Sequence, residues 1–216
     1  MNHVDGACDD TQRHSVLIFL SEGAKSLGFS GSADVFTCVN ATAPEGFQHH
    51  MRTATCDGAT VRTSSGLVVM PDRGVADADE AGTLMVPDTN GIPESAPEAY
   101  RALHDVADRA QRIASVGTGT FLIAGTGLLS GRRAATHWEY SDELARRFPD
   151  ITVDCRDKVV KDGRIPTAGG GAPGIDMALS LAEEDLGRDV AQRTARLLVT
   201  HRRKPGRKIS SPVRQW

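Results

Sequence analysis

The residues best placed for chemistry form the run Ser115-Val116-Gly117-Thr118-Gly119-Thr120-Phe121. An apolar stretch, Ile113 to Val116, enters this glycine-rich turn, and the helix-like segment FLIAGTGLL leaves it. A strand that turns sharply into a helix lifts one side chain above the sheet edge, where covalent catalysts hold a reactive Ser or Cys. Here that position is Gly117. The spacing therefore predicts the scaffold of a nucleophilic site without its nucleophile.

The rest of the chain offers no obvious replacement reagent. Cys8, Cys38, Cys56 and Cys155 are scattered, form no CxxC pair and lie outside the turn. That spacing predicts neither a zinc site nor a disulfide framework. Cys38, in the apolar-periodic DVFTCV, reads as a small core residue. Gly169, Gly171 and Gly174 formally spell GxGxxG before a helix. They lie far from the N-terminal strand–helix unit where dinucleotide motifs belong, so nucleotide binding is not expected. No metal and no cofactor are expected.

A turn of this kind must be held by a sheet, and the chain supplies one. Val16–Leu20, Met51–Cys56, Thr83–Val86, Ile113–Val116 and Ile151–Val153 read as strands. Hairpin-like pairs are expected around Val61–Val69 and at Val159–Ile165, the latter turning at Asp162-Gly163. Helices are expected over Gly31–Val39, from Pro97 to about Arg112, over Ser141–Phe148 with Ser141 and Asp142 as cap, and from Ile175 to about Leu198. Strands alternating with helices predict an α/β domain whose mostly parallel sheet is covered on both faces. Such sheets bind ligands beyond their carboxyl ends, where Pro87-Asp88-Thr89-Asn90-Gly91 and Gly117–Gly119 fall.

Bulk properties exclude several classes. At 216 residues, 39% hydrophobic and 25% charged, the chain fits one soluble domain. A net charge of −3 gives no global attraction to nucleic acid or membranes. No apolar run approaches the roughly 20 residues that span a bilayer. The N-terminal MNHVDGACDDTQRH, with three acids, is no secretory signal, so a cytoplasmic protein is expected. Residues 1–13 read as a disordered tail. The segment from Thr200 holds six Lys/Arg and no acid, and 201–216 reads as a basic tail without a recognition helix. Specific nucleic-acid binding is not expected.

Three segments carry a resemblance: EGAKSLGFSGSADVF (Glu22–Phe36), SVGTGTFLIAGTGLLSGRRAATHW (Ser115–Trp138) and TAGGGAPGIDMALSL from Thr167. Across about His14 to Thr200 the chain resembles the ThiJ/PfpI superfamily, nearest to isonitrile hydratases and the sensor domains of AraC-type (GlxA-like) regulators. The resemblance implies a single flavodoxin-like, doubly wound domain over 14–200 and a homodimer. It also implies a Cys at the position of Gly117 and an acid at that of Gly28, after Leu27. With both replaced by glycine, thiolate chemistry loses its sulfur and its polar partner.

Two glycines in place of two side chains predict an enlarged pocket, and the polar groups around it become the candidates. His137 keeps the family's Thr-His-Trp position and reads either as a general acid/base or as a backbone-bonded histidine. Asp88 stands where relatives carry an oxyanion-hole Gly; it reads as a new pocket carboxylate or as a turn former. Glu139 either reaches the site or merely precedes a helix. Thr118 is expected to donate hydrogen bonds through its hydroxyl and amide, with Thr89 beside it. Trp138 is a stacking wall or a core residue. The expected function is cofactor-free acid/base chemistry on a small molecule, for instance a Pictet–Spengler-type closure between an amine and a carbonyl compound. The alternative is a non-catalytic sensor for a small-molecule ligand.

Overall fold

The computed structural model describes residues 14–78, 81–93, 97–154, 156–170 and 172–198. The tails expected at 1–13 and 201–216 lie outside the described residues, as do Cys8 and Cys155. In chain order the elements are β1 (Ser15–Phe19), α1 (Ser26–Thr42), β2 (His50–Thr55), β3 (Val61–Arg62), β4 (Val68–Val69), β5 (Arg73–Gly74) and β6 (Thr83–Val86). There follow α2 (Pro97–Arg109), β7 (Arg112–Val116), α3 (Gly119–Gly125), β8 (Arg133–Ala134), α4 (Ser141–Arg147) and β9 (Thr152–Val153). The chain continues through β10 (Val159–Asp162), β11 (Ile165–Ala168), α5 (Ala172–Leu186) and α6 (Arg188–Leu197).

Seven strands form the central sheet in the order β10-β11-β7-β6-β1-β2-β5. Every pairing in it is parallel except the β10–β11 hairpin. The two-residue period of a strand splits its side chains between two cores. Val16 and Ile18 of β1, Met85 of β6 and Ala114 and Val116 of β7 pack with α1, α5 and α6. Leu17 and Phe19, Leu84 and Val86, and Ile113 point the other way, against α2 and α3. A sheet buried on both faces explains why VLIF and TLMV are continuously apolar rather than alternating.

Helix α2 shows the complementary helical period: Ala99, Leu103, Val106 and Ala107 form its buried stripe. It stops at Arg109 because Arg112 already pairs with Thr83 as the first residue of β7. Helix α1 is longer than its sequence suggests, since tertiary packing on α5 overrides the poor propensity of Gly28 and Gly31. The long helix expected from Ile175 to Leu198 is two helices, broken at Gly187, whose φ of +83° is left-handed. The cap expected from Ser141 and Asp142 also differs. Ser141 is the first residue of α4, and its hydroxyl donates back to the Trp138 carbonyl at 2.7 Å.

Candidate functional site

The elbow is built as its sequence requires. Strand β7 ends at Val116, Gly117 takes a left-handed φ of +53°, and α3 begins at Gly119. The Gly117 amide donates to the Ala168 carbonyl at 2.7 Å, and its own carbonyl accepts from the Thr136 hydroxyl at 2.8 Å. A Cβ at Gly119 would collide with the Val86 and Pro87 carbonyls, so glycine there lets α3 start against the β6 turn. Gly174 lets α5 close on the end of β7, because a Cβ there would stand 3.1 Å from Val116 Cγ1. Two glycines of the GxGxxG pattern thus flank the elbow, Gly169 and Gly174, with Gly171 outside the described residues.

At Gly117 the space expected to open is not free. It belongs to Asp88. A Cβ built on Gly117 would overlap the Asp88 carboxyl group, with Oδ2 at 2.9 Å. A Cβ on Gly28 would meet Asp88 Cβ at 3.7 Å, ordinary contact. Asp88 is 1% exposed, so it is more than a turn-forming residue. Its Oδ1 accepts from the Thr118 amide at 2.9 Å and the Thr118 hydroxyl at 2.8 Å. Its Oδ2 accepts from Lys25 Nζ at 2.9 Å. The donors expected of Thr118 are therefore present, and they are turned toward this carboxylate.

Lys25 had no signal in the sequence. It precedes α1 and lies 63 positions from its partner. The contact arises because the loop before α1 pairs with the turn after β6. Ala24 bridges Thr89, and the Lys25 amide donates to the Asp88 carbonyl at 2.8 Å. With its own side chain 35% exposed, Lys25 spans from solvent to the buried carboxylate. Thr89 is buried and donates its amide to Thr118 Oγ1 at 2.9 Å.

His137 faces the same point from the other side. A Cβ on Gly170, where φ is +110°, would stand 3.2 Å from both Asp88 Oδ2 and His137 Cδ2. The opposite ring edge turns to Glu139: Nδ1 accepts from the Glu139 amide at 3.4 Å and lies 4.0 Å from its carboxylate. With Nδ1 accepting, the neutral imidazole carries its proton on Nε2. Glu139 is exposed and touches the outer edge of the histidine rather than Asp88. Trp138 is 74% exposed, which removes the core reading; its ring centroid lies 5.7 Å from that of His137.

Neither described cysteine substitutes for a thiol at the elbow. Cys38 lies on α1 and is only half-buried, a departure from the expected core position. Burial, followed by Asp34, pushes its thiol up. Cys56 is exposed just after β2, and burial, Asp57 and Glu98 push it up as well. Thiols so placed are poorly ionised. Among the described residues, no three or more His, Cys, Asp or Glu are grouped to hold a metal ion, and no helix is long and apolar enough to cross a membrane.

A sequence model of the DJ-1/PfpI family matches residues 14–184. An uncharacterised protein of Streptomyces lividans is 38% identical over 138 residues, covering 63% of this chain and 96% of that one. The isonitrile hydratase of Pseudomonas putida is 35% identical over 139 residues, 63% of this chain and 59% of the hydratase. The transcriptional regulator GlxA of Rhizobium meliloti is 34% identical over 64% of this chain and 43% of its own length. This chain therefore spans about half the length of the named relatives it matches. Among solved structures, an AraC family transcriptional regulator from Pseudomonas putida aligns with a TM-score of 0.77 at 22% identity, covering 86% of this chain and 99% of that one. Drosophila melanogaster DJ-1beta aligns at 0.69 and 23%, over 87% and 98%.

Proposed function

The chain belongs to the DJ-1/PfpI family, and from that premise we propose that it performs cofactor-free acid/base chemistry on a small molecule, with no cysteine nucleophile. The supporting observation is the Asp88 carboxylate in the space beside Gly117, with the His137 ring edge across the gap at Gly170. Lys25 and Thr118 fix the Asp88 carboxyl group by hydrogen bonds, and an oriented carboxylate can serve as a proton acceptor. His137, as the imidazolium, is the matching donor through Nε2. Glu139 supports the charged imidazolium from the outer edge, and Trp138 offers a flat wall beside it.

An amine–carbonyl condensation with ring closure is the reaction class that fits. Amine and aldehyde add to a carbinolamine, and His137 protonates its hydroxyl as water leaves. The resulting iminium is attacked by the substrate's own nucleophilic carbon, and Asp88 removes the proton from that carbon. Amine and carbonyl compound give cyclised product and water, with no redox change. The test is product analysis by mass spectrometry on pairs of aromatic amines with aldehydes or keto acids. A new product lost in both His137→Ala and Asp88→Asn supports the reading. A ligand that returns unchanged from every pair overturns it.

A second reading, a non-catalytic sensor, is favoured by one observation. Both Asp88 oxygens already have partners, which suits a structural strut. The AraC-type relatives are consistent with it. Either reading carries a homodimer. Leu27, Leu67, Val68 and Met70 are exposed, and the Ser26 and Ser65 hydroxyls, 2.6 Å apart, join the two segments that bear them. That shared apolar face is the dimer surface of this proposal.

A further inference from the structure

A cleft of about 870 Å³ opens beside the elbow, at the carboxyl ends of β1 and β2, between the turn after β6 and the start of α2. Its volume is that of a small-molecule site. Phe19, Leu20 and Leu122 are buried and form an apolar floor, with Ile92 beside them. Among the described residues the charged groups around that floor are unequal: Glu22, Asp57 and Glu98 against the guanidinium of Arg101. Burial raises the Cys56 thiol, and the charges of Asp57 and Glu98 raise it further, which puts both carboxylates within electrostatic reach of one point in the lining.

Each carboxylate keeps capacity for a ligand. Glu22 Oε2 accepts only the Arg62 amide, and Asp57 Oδ1 only the Ala59 amide, which leaves one oxygen of each with no bond among the described residues. A carboxylate has roughly four acceptor sites, so one amide does not saturate it. An anion entering here would meet three like charges, whereas a cation would gain from all three.

We infer that this cleft binds a monocationic amine with an apolar, ring-sized body, its ammonium among Glu22, Asp57 and Glu98 and its body on Phe19, Leu20 and Leu122. The inference goes beyond the acid/base reading and does not rest on it. The two sites are nonetheless neighbours, because Thr89 lines the cleft and donates to Thr118, which donates to Asp88.

The experiment is a titration of the ¹⁵N-labelled full chain with 2-phenylethylamine, and separately with phenylacetate, followed by amide shifts. The amine is expected to shift Thr55, Cys56, Asn90 and Gly91, and phenylacetate at equal concentration to leave them in place. Glu98→Gln combined with Asp57→Asn should weaken amine binding at least tenfold. Asp105→Asn combined with Asp108→Asn, an equal charge change outside the cleft on the helix that bears Glu98, should change it less than twofold. Equal shifts by phenylacetate, or unweakened binding in the double variant, would overturn the inference. Amine binding together with no product from any amine–carbonyl pair would sink the condensation reading and leave the cleft assignment standing.

Discussion

The Asp88 carboxyl group fills the space that a side chain on residue 117 would need. One residue from the turn after β6 has thus taken the volume that Gly117 leaves free, whereas a Cβ on Gly28 would meet Asp88 only in ordinary contact. The consequence is a charged group, rather than a void, at the elbow. Its two oxygens are divided between the Lys25 ammonium and the amide and hydroxyl of Thr118.

That relationship predicts what happens when a thiol is placed at residue 117. Gly117→Cys should destabilise the fold by about 2–4 kcal/mol, from a left-handed non-glycine residue and from overlap with Asp88. Gly117→Cys with Asp88→Gly should recover most of the loss, since the overlap is gone. Urea denaturation of both variants decides it. Equal stability of the two would mean that Asp88 moves aside freely. Adding Gly28→Asp to Gly117→Cys while Asp88 is kept should not help, because it places a second carboxylate beside the first.

Removing the carboxylate itself tests its structural role. Asp88→Ala leaves the buried Thr118 amide without its acceptor, and is expected to cost about 2–3 kcal/mol in denaturant unfolding. Asp88→Asn retains that acceptor but turns an amide NH₂ toward Lys25, so its cost should fall below that of alanine. The order of the two variants is the readout, and its reversal would contradict the assigned hydrogen bonds.

Much of this was legible in the chain because it depends on local pattern. The VLIF and TLMV runs announce strands covered on both faces, and the Gly117–Gly119 turn after Ile113–Val116 announces the elbow. Contacts across the sheet were not. Asp88 in a turn looks like any turn residue until Lys25, 63 positions away, is placed against it. The same gap explains why the space expected beside Gly117 is filled: subtracting a side chain predicts space only if nothing from a neighbouring loop can enter. Gly187 broke the last helix for a more local reason, a single left-handed residue inside an otherwise continuous apolar period.

His137 separates catalysis from scaffolding. It is partly exposed and makes one weak bond, to the Glu139 amide, so His137→Ala should alter stability by less than about 1 kcal/mol. Turnover of any productive amine–carbonyl pair should nonetheless fall by about 100-fold or more. Unchanged turnover in a folded His137→Ala would remove the histidine from the mechanism.

Acid stability reports on the far end of the sheet. Burial alone would raise Asp185, but His49 and Arg112 outweigh it and hold its carboxyl at about 2. Arg112 donates to both oxygens, at 2.8 and 2.6 Å, and His49 Nε2 stands 3.8 Å away, in ion-pair rather than hydrogen-bond range. A depressed folded pKa stabilises above the unfolded value near 4, and that contribution fades as pH falls toward 2. Asp185→Asn should therefore be less stable by about 2 kcal/mol at pH 7, with the gap closing between about pH 5 and 2. A gap independent of pH would show that the pair's charge contributes nothing.

The apolar face on α1 and the β3–β4 hairpin carries the last prediction. Met70 is 80% exposed, Leu67 60%, Val68 58% and Leu27 57%, on two segments tied by the Ser26–Ser65 hydrogen bond. Scattered surface leucines need no partner, but four on adjoining segments form a patch that water disfavours. A symmetric dimer buries such a patch twice, each copy covering the other's. Leu67→Glu with Met70→Glu should then shift the protein from dimer to monomer in light scattering coupled to gel filtration, with the far-UV spectrum unchanged. Because these side chains lie outside the core, loss of the fold in that variant is not expected, and a dimer that persists would place the interface elsewhere.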